Sequence, residues 1–413
     1  MRRTKEPGRG RALALRALAL GVLAGLVQAC STSMGPVPAP TAQIATPPTT
    51  ASTRAPVKIA LLLPLGGMGE TAAVAKSMKQ AAEMALFEVN DPSVQLVTKD
   101  DGGTTAGARA AADAAVKEGA EIILGPLFSQ AVAGAAPVAR QANVPIVAFS
   151  SDAQIAGKGV YLMSFLAEEE VNRIVGFAAS QGKKRFAALI PDNAYGNVVE
   201  PVFRRAVERA GGTVAIIEKY QPAANGMLGP AKRVVEAIKR GEEEMTPVDA
   251  LFLPGGQDAL PRIGPVIAYT GLDTRKVKLL GTGAWDFPSI GRDEAFVGGW
   301  YPSPDPATWR AFAERFGKAF GNAPPRIASI TYDAVGMAIS LASNPPGQRY
   351  TPAELMRPNG FSGVDGIVRF NDSGLSEHAL AVLEVQKFGS AVVDPAPSSF
   401  QPTKLSAVEH TVH

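Results

Sequence analysis

At 413 residues, with 46% apolar side chains and a formal charge of +3, the chain exceeds one ordinary domain and has enough apolar surface for two cores. Residues 1–29 carry six basic side chains and one acidic, a net +5, so the remainder is at −2 and offers no concentrated basic face for nucleic acid. The only cysteine is Cys30, which excludes a disulfide within one chain.

Arg2, Arg3, Lys5, Arg9 and Arg11 precede an apolar stretch from Ala12 to Val27, interrupted once by Arg16. That layout is an export signal, too short for an ordinary spanning helix. Leu26-Val27-Gln28-Ala29-Cys30 resembles the bacterial lipoprotein cleavage motif, although a small residue is usual where Gln28 stands. The expectation is a signal peptide over 1–29 and a lipid anchor on Cys30; the plainer reading is a signal peptide with an incidental cysteine. Residues 30–56 are nearly all Pro, Thr, Ala and Ser, too poor in apolar surface to build a core, and are expected to form an extended tether.

The fold is expected to begin at Val57, where an apolar run ends in Pro64 and glycines as a buried strand does before a loop. Val74, Met78, Ala82, Ala85 and Val89 follow on one helical stripe that Asn90-Asp91-Pro92 stops. A strand at Val94–Lys99 and an Ala-rich helix at Thr105–Lys117 come next. The stretch from Glu118 to Asp152 then reads as a βαβ unit: apolar Glu121–Leu124, Gly125-Pro126, a Ser-led helix that Pro137 should kink, and apolar Ile146–Phe149 opening into Ser150-Ser151-Asp152. The grammar repeats with a helix at Glu168–Gln181 and a strand at Arg185–Ile190, then a helix that Asp192 is placed to cap. Strands at Thr213–Tyr220, Val248–Leu253 and Val277–Leu280 complete the second set.

Strands alternate with helices twice over, which predicts an α/β protein of two doubly wound, Rossmann-like lobes. The expected division is 57–164 with 301–360 for the N-terminal lobe, 165–300 with 361–392 for the C-terminal lobe, and a mobile tail over 393–413. Gly366–Phe370 and Leu380–Phe388 are expected to form a hairpin through Asn371-Asp372-Ser373-Gly374. In parallel sheets, ligands bind at the edge formed by the strands' carboxyl ends, here the loops Gly125–Ser129 and Ser150–Asp152.

The order and spacing of IALLLPLGG, GAEIILGPLFS, ANVPIVAFSSD, ALIPDNAYG and ITYDAVGMAISLA resemble the type I periplasmic solute-binding proteins of the leucine/isoleucine/valine-binding group, over about residues 57–390. The resemblance implies two lobes joined by three crossing strands, and a small-molecule ligand held between them for an inner-membrane ABC permease. It further implies that Ser129 meets a ligand carboxylate, that Phe149 and Ser151 contribute backbone and hydroxyl groups, and that Tyr195 lines the second lobe. Amino-acid binders of this group carry a glutamate for the ligand ammonium at the position of Gly283; with only Asp286 or Asp101 at hand as a replacement, an α-ammonium ligand is expected to gain little. LLLPL, GPL, the anchor and the tether also resemble the C-terminal domain of outer-membrane lipoproteins that activate penicillin-binding proteins. Ser31 after the cysteine, where aspartate would signal inner-membrane retention, implies outer-membrane sorting.

Each candidate has a plainer use. Ser129 opens a helix, where backbone N–H groups and the dipole favour an anion, but serine there is also a common N-cap. Ser150 and Ser151 read as ligand contacts or as a solvated turn, and Tyr195 as a cleft residue or as packing on its own lobe. Trp285 reads as a ligand-stacking ring or as interlobe packing, and Asp101 with Asp100 as a loop-orienting pair or as a pointer to a cationic group. Asp333 reads as a capping or hinge residue. No cofactor or metal is expected, because no His/Cys spacing suits a metal. The three histidines, His378, His410 and His413, all fall late, no Gly-x-Ser-x-Gly occurs, and neither Gly157-Lys158 nor Gly281-Thr282-Gly283 completes a phosphate loop, so binding rather than catalysis is expected.

Overall fold

The computed structural model describes residues 56–222 and 226–400. The expected export signal, the lipidation at Cys30, the tether up to residue 55 and residues 401–413 lie outside the described residues.

Five parallel strands form the first sheet, in the order β2, β1, β3, β4, β5: β1 (Val57–Leu63), β2 (Val94–Asp100), β3 (Ala120–Leu124), β4 (Ile146–Ala148) and β5 (Val160–Leu162). Helices α1 (Gly69–Val89), α2 (Thr105–Lys117) and α3 (Ser129–Gln141) connect them. Side chains of β1 alternate between faces. Ile59, Leu61 and Leu63 join Met78 and Ala82 of α1 in one core, and Ala60 and Leu62 meet Ala108 and Ala112 of α2 and Val132 and Ala135 of α3 in another. A strand covered on both sides needs apolar residues at every position, which is why the run is unbroken.

The second half repeats the construction with α4 (Ala167–Ser180), β6 (Arg185–Pro191), α5 (Ala194–Arg209), β7 (Thr213–Tyr220), α6 (Leu228–Glu243), β8 (Ala250–Phe252), α7 (Leu260–Thr270), β9 (Lys278–Leu280) and β10 (Trp300–Ser303). Phe186, Ala188 and Ile190 of β6 face α4 and α5, while Ala187 and Leu189 face α6 and α7. The chain then returns through α8 (Pro306–Phe320), α9 (Ala328–Ala342), α10 (Pro352–Leu355), β11 (Phe361–Gly363), β12 (Gly366–Phe370) and β13 (Ser376–His378), and ends in β14 (Ala381–Val385) and β15 (Ser390–Asp394). The second sheet runs β15, β14, β10, β9, β8, β6, β7, with β14 antiparallel to both β10 and β15.

Several boundaries differ from the sequence reading. Residues 301–303 stay with the second sheet, because Tyr301 is buried in its core and pairs with Leu383. The hairpin at Asn371–Gly374 joins β12 to β13, not to residues 380–388. Strands β11 to β13 form a separate three-stranded sheet whose Phe361, Val368 and Phe370 complete the first-lobe core, so residues 361–378 pack on the first lobe rather than the second. Only at Ala381 does the chain re-enter the second sheet. Residues 393–400 are not a loose tail: Asp394 pairs with Val382 and forms an ion pair with Arg173 at 2.6 Å, and Phe400 packs under Arg369 at 4.4 Å. The cap of α5 is Asn193, which accepts from Gly196 N–H at 2.9 Å; Asp192 instead accepts from Gln221 at 2.6 Å.

Candidate functional site

The topology decides where a ligand can sit. Three crossings link the lobes, at 163–166, 304–305 and 379–380, and the first two leave from the carboxyl ends of β5 and β10. The carboxyl edges of both parallel sheets therefore flank the crossings, and the space between them is the interlobe cleft.

On the first lobe, Gly125 ends β3 with φ +86, and a Cβ there would collide with the carbonyl oxygen of Leu62, so only glycine lets the chain turn toward α3. Ser129 occupies the first helical position, the N-cap being Phe128, whose side chain makes no capping bond. The plainer reading of Ser129 as an N-cap is thereby replaced: among the described residues its hydroxyl has no hydrogen-bond partner, nor do the N–H groups of Ser129 and Gln130. These are the orphan donors of a helix start, suited to an anionic oxygen. Ser150 is buried and its hydroxyl accepts from Asp152 N–H at 3.2 Å, whereas Ser151 is exposed. Phe149 does not present a free amide. Its ring lies in the first-lobe core, and its N–H donates to Pro126 O at 3.0 Å.

Asp101 is fully buried and holds its own loop, Oδ1 accepting from Gly103 N–H at 2.7 Å, while Oδ2 has no partner among the described residues. Burial pushes its carboxyl up to about 6, against the Gly103 hydrogen bond and with the neighbouring Asp100 charge. It serves the loop rather than the cleft surface.

On the second lobe, the Tyr195 hydroxyl donates to Thr282 Oγ1 at 3.2 Å, tying the start of α5 to the loop after β9. Burial first, then the charge of Glu170, raises the phenol well above its ordinary value. Trp285 neither stacks on a ligand nor packs between lobes: it is 0% exposed, its Nε1 donates to Leu253 O at 3.0 Å, and Phe296 meets it edge-on at 5.3 Å. Asp286 is turned toward the hinge, accepting from Ser303 Oγ at 3.0 Å and standing 3.8 Å from Arg326 Nε.

A carboxylate from another element stands beside Gly283. Glu170, in the first turn of α4, places its carboxyl group where a side chain on Gly283 would extend, and a Cβ built there would collide with Oε1. The Gly283 backbone faces it, and it makes no ion pair among the described residues. The residue keeps partial exposure, and burial pushes its carboxyl up to about 7; the Gly283 backbone and the His378 charge oppose that rise and the Glu169 charge adds to it. The second lobe thus carries a carboxylate beside Gly283. The neighbouring Glu169 is committed to the hinge, accepting from His378 N–H and facing its Nδ1 at 3.2 Å. Sequence reasoning missed Glu170 because Glu168-Glu169-Glu170 reads as the acidic first turn of any helix.

Two α/β lobes with parallel sheets, joined by three crossings and meeting at their carboxyl edges, define a type I binding-protein fold. The chain belongs to the periplasmic binding protein family, whose profile matches residues 56–390. A relative, Leu/Ile/Val-binding protein homolog 6 of Brucella melitensis, is 26% identical over 298 residues, covering 68% of this chain and 72% of that protein. Among solved structures, a substrate-binding protein of Desulfitobacterium hafniense in complex with Leu aligns with TM-score 0.61 at 19% identity, covering 82% of this chain and 99% of that one. A solute-binding protein of Rhodopseudomonas palustris BisB5, in complex with 3,4-dihydroxybenzoic acid, aligns with TM-score 0.55 at 20% identity, covering 83% and 98%.

Proposed function

We propose that this chain is the non-catalytic substrate-binding component of an ABC importer, holding a small ligand that bears both a carboxylate and a cationic nitrogen. The carboxylate is received at the start of α3, by Ser129 and its neighbouring N–H groups, with Ser150 and Ser151 beside it. The nitrogen is received by Glu170. The observation that carries this reading is Glu170 itself, a half-buried carboxylate with no ion pair among the described residues, placed at the carboxyl edge beside Tyr195, Thr282 and Gly283. A half-buried charge of that kind gains from a cation that meets it.

The ligands of the two neighbours frame the test, since leucine and 3,4-dihydroxybenzoate both carry a carboxylate and only leucine carries an ammonium. Calorimetry on the purified chain at pH 8 is expected to show saturable binding of an α-amino acid from a panel that includes leucine, and none of 3,4-dihydroxybenzoate. Tight binding of the benzoate with none of the amino acids would overturn the assignment.

We further propose that Cys30 carries a lipid anchor and that the fold works in the cell envelope beyond the Pro/Thr/Ala-rich segment, at the outer membrane if Ser31 sorts it. Cys30→Ser should release the protein from the membrane fraction or leave it unprocessed, and unchanged fractionation and migration would refute the anchor. The alternative role as an activator of penicillin-binding proteins rests on that anchor and tether and on the LLLPL and GPL stretches, and an outer-membrane location would favour it over a permease partner in the inner membrane.

A further inference from the structure

Arg326 precedes α9 on the first lobe, and its guanidinium is held on three sides. Nη1 donates to Asp365 Oδ1 at 2.7 Å and to Ser329 Oγ at 3.2 Å. One face of the guanidinium lies 4.4 Å from the Trp309 ring, and the Phe165 ring of the first crossing stands at 5.8 Å. The remaining edge, formed by Nε and Nη2, makes no hydrogen bond among the described residues, and Nη2 is sealed from solvent. That edge is the one whose two parallel N–H groups match a carboxylate in a bidentate fork. The carboxylate beside it is Asp286 of the second lobe, at 3.8 Å from Nε, too far for a hydrogen bond.

We propose that Arg326 and Asp286 form an interlobe latch that closes when the lobes close. Asp286 is already oriented, because Ser303 Oγ donates to its Oδ2 at 3.0 Å and the Tyr301 hydroxyl stands 3.5 Å from Oδ1. Both partners lie beside the crossing at 304–305, near the axis of any hinge motion, where an approach of about 1 Å is enough to make a charge-assisted bond. Asp286 also sits three residues after Gly283, on the loop that the proposed ligand site uses, so a ligand that draws this loop toward the first lobe draws Asp286 onto Arg326. An orphaned buried N–H is costly in the state seen here, and closure removes that cost. The latch rests on the proposed closing of the lobes but not on the identity of the ligand.

The test measures closure directly, with and without leucine as the probe. Spin labels at Lys117→Cys on α2 and Lys239→Cys on α6, in an otherwise full chain carrying Cys30→Ser, report the interlobe distance distribution by electron double resonance. Asp286→Asn keeps one acceptor oxygen, for Ser303 Oγ, and should preserve the fold, whereas Arg326→Gln removes the ion pair of Asp365, leaves it Ser329 Oγ, and serves as the second arm. Both groups are partly exposed, so each variant is expected to lower the closed-to-open ratio about fivefold, and the double variant to lower it no further than either alone. Additive effects, or a closed population in Asp286→Asn equal to that of the parent, would overturn the latch. Failure of every ligand to bind would instead count against the proposed ligand site, since a ligand-free closed population still reads the latch.

Discussion

Glu170 and Gly283 occupy one site between them: the carboxyl carbon of Glu170 stands 3.2 Å from where a Cβ on Gly283 would be. A glutamate side chain reaches this point from α4 only because residue 283 has none. Glu170→Gln is therefore expected to weaken binding of an ammonium-bearing ligand by roughly 10- to 100-fold, the scale of one hydrogen bond to a charged group, without unfolding the lobe. Calorimetry with the binding amino acid, beside circular dichroism, checks both parts.

The same group sets a pH dependence. Burial raises the Glu170 carboxyl to about 7, so the ionised form that receives a cation is lost as pH falls below 7, and amino-acid affinity should fall with it. For stability the sign is opposite. A raised native pKa means that the folded state holds its proton longer than the unfolded chain, so this contribution is fully present below about 4.5, the ordinary value, and is lost as pH rises through about 7. Affinity titrated from pH 5.5 to 8.5 should rise in the parent and stay flat in Glu170→Gln.

Asp101 provides a stability test away from the ligand. Its carboxyl is raised to about 6 by burial, and Oδ2 has no partner among the described residues, so the charged form at pH 8 is an uncompensated buried anion. Asp101→Asn keeps an acceptor for Gly103 N–H and removes the charge. The variant should melt higher than the parent at pH 8 and match it near pH 5, where Asp101 is protonated. A lower melting temperature at pH 8 would contradict this account.

Ser129→Ala separates binding from folding. Because Phe128 holds the cap position without a side-chain bond and the Ser129 hydroxyl is unpartnered, its removal should leave the melting temperature nearly unchanged. Affinity for a carboxylate ligand should fall about tenfold, as calorimetry would register.

Trp285→Ala should behave in the opposite way. The ring is wholly buried, and a Cβ on Gly281 would collide with it, so the Gly281-Thr282-Gly283 turn is built around this side chain and Glu170 together. Truncation is expected to cost about 3–5 kcal/mol, visible as a large drop in denaturation midpoint. A variant with native stability and lost ligand binding would restore Trp285 to the cleft.

The sequence alone determined the repeated strand and helix order, because each strand covered on both faces must be apolar throughout, as β1 is from Val57 to Leu63, and each helix shows its buried stripe. It also placed Ser129 at a helix start, since that is a local property. Tertiary structure decided what depends on contacts between distant segments. Residues 361–378 joined the first lobe because Phe361, Val368 and Phe370 fill a core whose space is set by α1 and α9. Trp285 went to the interior because Leu253, 32 residues earlier, supplies its acceptor. Glu170 and Gly283 lie 113 positions apart, and nothing local in an acidic helix turn or in a Gly-Thr-Gly loop says that one fills the vacancy of the other. A carboxylate's partner is chosen by where the backbone brings it, which periodicity does not encode.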